Sequence, residues 1–119
     1  MGVLSTMITL YGIKNCNTVK KARRWLDDQS INYRFHDFRV DGLSKKQVGQ
    51  WVKELGWETV VNKRSTTWKE LSETKKLSLN ETSVIDVIMN SPTLIKRPLL
   101  DTGKQRSVGF KPDQYQSLL

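Results

Sequence analysis

The apolar positions change period along the chain, and the changes divide it into elements. Met7–Tyr11 is a short β-prone run closed by Gly12. Helical spacing follows, with Val19, Ala22 and Leu26 at i, i+3 and i+7 and Trp25 beside them. Cys16 or Asn17 then falls in the first turn of that helix. Ile31, Tyr33 and Phe35 alternate with Asn32, Arg34 and His36, the pattern of a strand. Residues 7–38 therefore read as strand, helix, strand. A connection through a helix favours two parallel strands joined by a right-handed crossover.

Asp41-Gly42 turns the chain, and residues 42–91 read as a mostly helical segment. Ser44 and Gln47 have capping-box spacing, and Val48, Trp51, Val52 and Leu55 share one helical face. Gly56 is placed to end that helix. Thr67-x-x-Glu70 and Ser78-x-x-Glu81 are two further capping boxes. The second opens an apolar stretch through Val84, Ile85, Val87, Ile88 and Met89, which Pro92 stops. Strand character returns at Thr93–Ile95 and Leu99–Asp101, on either side of Arg97-Pro98. Thr102-Gly103-Lys104 reads as a hairpin turn, Gln105–Gly109 as a last strand, and Lys111–Leu119 as a short closing helix with Pro112 near its first position. The order is βαβ, a helical segment, then ββα, which suits one α/β domain over residues 7–119. Met1–Thr6 reads as an N-terminal extension, a tag remnant or an upstream start.

The 119-residue length can bury one modest core without staples. No run of about 18 apolar residues occurs, so a transmembrane helix is not expected. The N-terminal stretch has neither a basic region nor an apolar core for secretion. One cysteine excludes an internal disulfide and a cysteine-rich zinc site, and with one histidine no metal site is expected. A lone thiol without an export signal points to the reducing cytoplasm. The net charge of +8 fits a solvated basic surface, a nucleic-acid partner or a cleft that attracts small anions. No helix-turn-helix or other nucleic-acid module is present.

The candidate chemistry centres on Cys16. In Gly12-Ile-Lys-Asn-Cys-Asn-Thr the thiol follows the first strand and opens the first helix. Unpaired amides at a helix N-terminus and nearby cations favour the thiolate, which is the reactive form. Lys14 lies two residues before the thiol and Lys20 about one turn after it. An isolated cysteine is otherwise an inert packing residue, so position alone does not decide. Arg97 precedes Pro98 at a strand start, where the peptide bond can be cis. Arg64 follows Asn62-Lys63 in a loop. If the fold brings Arg64 and Arg97 to Cys16, they form a guanidinium pocket for an oxyanion or carboxylate. The alternation places His36 outward at mid-strand, away from a general-base role. Trp25, Trp51, Trp57 and Trp68 are packing residues. Asp37, Arg39 and Asp41-Gly42 read as strand exit and turn.

Four segments together resemble the arsenate reductase (ArsC) family of thioredoxin-like proteins, in its YffB branch, next to the Spx regulators. They are Leu10–Leu26, His36–Leu43, Asn62–Trp68 and Pro92–Leu99. The resemblance implies a thioredoxin-like fold with a four-stranded mixed sheet and a helical insertion. It implies that Cys16 is the nucleophile, that Arg64 and Arg97 line its anion site, and that Arg97-Pro98 is the cis-proline turn facing the cysteine; Lys14, Asn17 and Thr18, next to the thiol, and Pro98 are further candidates for that site. The family's third arginine corresponds here to Lys111, which keeps the charge but loses the bidentate fork. After the cysteine stands Asn17-Thr18-Val19 in place of the arsenate reductases' Gly-Thr-Ser, and both departures bear on whether arsenate is the substrate. Val19 stands where the Spx regulators carry a second cysteine. The resemblance thus implies a one-cysteine reductase with glutathione as thiol co-substrate, and a monomer is the default expectation. Glutaredoxin is an alternative partner. A non-enzymatic, Spx-like regulator that contacts RNA polymerase is the competing class.

Overall fold

The computed structural model describes residues 7–119, and Met1–Thr6, read above as an extension or tag remnant, lies outside the described residues. The chain divides into two compact units. The first comprises residues 7–37 and 97–119, and the second residues 38–96.

The first unit carries the sheet. Strands β1 (Thr9–Gly12), β2 (Arg34–Asp37), β3 (Leu99–Asp101) and β4 (Arg106–Val108) lie in the order β2-β1-β3-β4. β1 pairs parallel with β2, as the strand–helix–strand pattern requires, and antiparallel with β3, which pairs antiparallel with β4. The result is the expected four-stranded mixed sheet. Helix α1 (Asn17–Asp28) makes the crossover between β1 and β2. Its Ala22 and Leu26 meet Leu10 of β1, Leu100 of β3 and Tyr115 of the last helix in a fully buried cluster. Each such large apolar side chain contributes roughly 1.5–3 kcal/mol by leaving water. Trp25, Phe110 and Tyr115 close one side of this core, with Phe110 and Tyr115 edge-to-face at 4.8 Å.

Gly12 ends β1 and makes α1 possible at this distance. A Cβ built there would lie 2.7 Å from Cγ2 of Val19, in the first turn of α1. The thiol-bearing loop between them, Ile13–Cys16, depends on that close approach.

The second unit is helical apart from one isolated bridge, Val61 with Ile95. It contains α2 (Phe38–Asp41), α3 (Lys45–Leu55), α4 (Trp57–Val60), α5 (Thr66–Lys69), α6 (Glu73–Leu77) and α7 (Ser83–Asn90). α3 starts on the expected capping box: Ser44 Oγ accepts the Gln47 N–H at 3.1 Å, and Gln47 Oε1 accepts the Ser44 N–H. It ends at Gly56, whose φ of 87° favours glycine. Val48, Trp51 and Val52 are buried on its inner face.

Four local expectations are corrected. Arg39 and Asp41, read as strand exit and turn, belong to the single helical turn α2. The cap of α5 is Ser65, which accepts from Trp68 N, while Thr67 lies inside the helix with its hydroxyl 2.8 Å from that of Thr93. Before α7 the N-cap position is Thr82, whose side chain makes no cap bond, and Asn80 rather than Ser78 supplies the acceptor. Its Oδ1 accepts from Thr82 and Ser83 N, and Ser83 Oγ accepts the Asn80 N–H in return. Thr93–Ile95 does not form a strand. Pro92–Leu94 is a 3-10 turn, with Leu94 N bonded to Ser91 O and Ile95 N to Pro92 O. Proline fixes its own φ and lacks an N–H, which suits the first position of such a turn.

The chain re-enters the first unit at Arg97. The Arg97–Pro98 bond is cis, and Pro98 O accepts the Gly109 N–H at 2.8 Å. Helix α8 (Pro112–Leu118) closes the unit with Pro112 at its first position.

Candidate active site

Cys16 is the N-cap of α1. Its backbone is extended (φ −142°, ψ 122°), and its carbonyl accepts the Lys20 N–H at 2.9 Å, the first bond of the helix. The residue at such a position turns its side chain toward the amides of the second and third helical residues, which have no partner within the helix. Those amides belong to Thr18 and Val19. The thiol itself makes no conventional cap hydrogen bond. The thiolate is another matter. Partial burial raises the Cys16 pKa, but the Val19 N–H, the hydrogen bond and positive charge of Arg97, and the Thr18 N–H together outweigh it and leave the pKa below its ordinary value. The side chain is half-buried, so the sulfur is screened but still reachable.

The structure therefore brings together Cys16, Thr18 and Arg97, three of the residues singled out in the sequence. Their elements explain why. β1 delivers the loop, α1 supplies the amides, and the turn before β3, next to β1 in the sheet, supplies the guanidinium. Pro98 is buried at the base of that turn. Asn17 is exposed and occupies the first position of α1. Lys14 is exposed, and its recorded hydrogen bond is made by its backbone, whose N–H donates to Asp37 Oδ2 at 3.2 Å. Lys111 is exposed at the N-cap of α8. Neither lysine is among the groups that lower the Cys16 pKa.

Arg64 lies in the second unit, exposed on the turn before α5, with its N–H bonded to Asn62 Oδ1 at 3.0 Å. The neighbouring Lys63 braces this turn. Its ammonium lies 5.5 Å from the ring centre of Trp57, 5.6 Å from that of Trp68 and 3.6 Å from Glu58 Oε2. Trp57 and Trp68 thus do pack, but on a cation.

His36 pairs in register with Tyr11, and their rings lie 4.7 Å apart. It is half-buried rather than fully outward.

Asp37 is the residue that sequence reasoning passed over. Read as a strand exit, it is a buried carboxylate, 5% exposed, in register with Gly12 and bonded to the backbone of the cysteine loop. The available signal was an acid at the end of a strand parallel to the one that carries the thiol. Among the described residues, no three His, Cys, Asp or Glu side chains gather as a metal site, and no helix is long and apolar enough to cross a membrane.

A thioredoxin-like α/β scaffold with its thiol at the first helix, facing a proline turn, defines the class, and comparison with known proteins agrees. The model of the ArsC family matches residues 11–118, and the chain belongs to that family. An uncharacterized protein of Haemophilus influenzae is 49% identical over 111 residues, covering 93% of this chain and 97% of that one. The global transcriptional regulator Spx of Lactiplantibacillus plantarum is 30% identical, over 95% and 86% of the two chains. Among solved structures, the YFFB protein superimposes with a TM-score of 0.89 at 43% identity, over 93% of this chain and 97% of that one. An arsenate reductase (ArsC) related protein from Brucella melitensis gives 0.78 at 39% identity, over 98% and 97%.

Proposed function

We propose that this chain is a cytoplasmic thiol-dependent oxidoreductase in which Cys16 is the sole nucleophile and glutathione the resolving thiol. The observation that carries the reading is the sulfur at the α1 N-cap, where two amides and Arg97 bring its pKa below the ordinary value. A thiolate attacks one sulfur of a disulfide, the S–S bond breaks, and the other sulfur leaves as a thiolate. Attack by Cys16 on a glutathione mixed disulfide leaves glutathione on Cys16 and frees the substrate thiol. With one cysteine in the chain, a second glutathione thiolate must then attack that adduct. Oxidised glutathione leaves and the Cys16 thiolate returns. Arg97 suits the carboxylates of such a partner or an oxyanion such as arsenate.

Mass spectrometry after incubation with oxidised glutathione tests the proposal. One glutathionyl group on Cys16, removed by excess reduced glutathione, is the expected result. No adduct overturns it. The likeness to a relative named as a transcriptional regulator favours a second reading, in which the chain acts by binding a partner such as RNA polymerase. Cys16→Ser separates the two, because cellular function that survives it belongs to binding rather than to thiol chemistry.

A further inference from the structure

Helix α1 carries its charges against its own dipole. Lys20 stands in the first turn, Lys21, Arg23 and Arg24 fill the middle, and Asp27 and Asp28 end it. No acidic residue stands in the first turn and no basic one in the last. The dipole favours the reverse arrangement, with acids at the start and bases at the end. One of these cations has a structural use: Arg23 Nε–H donates to Tyr33 Oη at 3.1 Å, and its guanidinium lies 4.2 Å from the ring centre of Phe35. Lys20, Lys21 and Arg24 differ. All three are exposed, and among the described residues their side chains take part in no ion pair or hydrogen bond. With Asn17 they line a hollow of about 250 Å³.

The hollow starts at the residue after the thiol and runs along the helix. Cys16, Lys20 and Arg24 recur at four-residue spacing, and Asn17 and Lys21 flank them, so all lie along one stripe. At 1.5 Å per residue, Lys20 and Lys21 stand roughly 6–7.5 Å along the axis from Cys16. Two extended peptide residues span about 7 Å. A short peptidic thiol bonded through sulfur at Cys16 is therefore long enough for its terminal carboxylate to reach these cations.

We propose that the hollow formed by Asn17, Lys20, Lys21 and Arg24 binds a carboxylate of the peptidic thiol that exchanges with Cys16, so that α1 selects anionic thiols over neutral ones. The inference rests on the reading of Cys16 as a thiol nucleophile. It also explains why charges that work against helix stability occupy this face, since function and stability need not favour the same charge pattern.

The experiment compares the full-length chain with the Lys21→Gln/Arg24→Gln variant in two measurements. The first is the rate of Cys16 mixed-disulfide formation with oxidised glutathione relative to uncharged bis(2-hydroxyethyl) disulfide. The variant should lower this ratio about fivefold, the scale of one or two exposed ion pairs, and 0.5 M salt should lower it in the parent. The variant should also melt no lower than the parent, which a merely structural role would not allow. The second is amide chemical-shift titration with S-methylglutathione, which cannot exchange disulfides. Shifts across residues 17–24 that are lost in the variant support the hollow. An unchanged rate ratio, or no shifts in the parent, overturns it. If neither disulfide reacts, the nucleophile reading falls by itself, and the S-methylglutathione titration still decides the hollow.

Discussion

A methyl group added at Gly12 is the sharpest probe of how β1 and α1 hold the thiol loop. The new Cβ would sit 2.7 Å from Val19 Cγ2 and 3.4 Å from Cγ1. Carbon atoms pack best at about 3.5–4.0 Å, so one contact is too short by about 1 Å. Val19 cannot easily turn away. It is fully buried, and a β-branched side chain in a helix has one strongly preferred rotamer. The strand end or the first turn of α1 must move instead, at a cost of about 1–3 kcal/mol. For a chain of this size that lowers the melting temperature by on the order of 5–15 °C. Urea titration and calorimetry read both quantities. The decisive comparison is the double variant. Val19→Ala alone costs about 2 kcal/mol in lost buried methyl groups but removes both colliding atoms. Gly12→Ala should then cost at least about 1 kcal/mol less in the Val19→Ala background than in the parent. Equal costs in the two backgrounds would refute the steric account.

Other consequences are smaller but independent. Asp37→Asn weakens the acceptor for the Lys14 N–H and should cost about 1–2 kcal/mol, with faster hydrogen exchange at the Lys14 amide; unchanged exchange would remove Asp37 from the loop's support. Ser44→Ala removes the side-chain acceptor for the Gln47 N–H, one half of the capping box of α3, and should lower stability by about 1 kcal/mol in chemical denaturation. Burial pushes the Tyr115 hydroxyl pKa well above its ordinary value. Above about pH 10 the unfolded chain therefore loses this proton more readily than the folded one, so stability falls as pH rises there. Tyr115→Phe should flatten that fall, and an identical alkaline slope in both proteins would contradict it.

Elements with a local cause were legible in the sequence. Ser44, Gly56 and Pro112 act on their own neighbours in the chain, and each stands where its chemistry placed it. The alternating and helical periods of residues 7–37 likewise sufficed for the crossover and the parallel pair. Caps in the Ser-, Thr- and Asn-rich stretch were misplaced because several residues there offer an acceptor at the right spacing. Which one is used depends on where the following apolar side chains are buried. Thr93–Ile95 has strand-like residues, but its backbone groups find partners one at a time, at Ser91, Pro92, Asn62 and Val60 with the adjoining Lys96, rather than along a ladder. In the site, Cys16 and its helix were readable because the thiol and its amides are adjacent in sequence. Arg97 was readable as a candidate only on condition that the fold brought it to Cys16, because 81 positions of separation conceal a neighbour brought in by sheet pairing. Asp37 stayed hidden for the same reason, since only the parallel register sets it opposite Gly12.

The account stands most directly on the pH profile of Cys16 alkylation by iodoacetamide, measured in the parent and in Arg97→Met. It predicts a midpoint below that of an ordinary thiol in the parent, and a higher midpoint when the guanidinium is gone. A parent midpoint at the ordinary value of about 8.5, or one indifferent to Arg97, would contradict it.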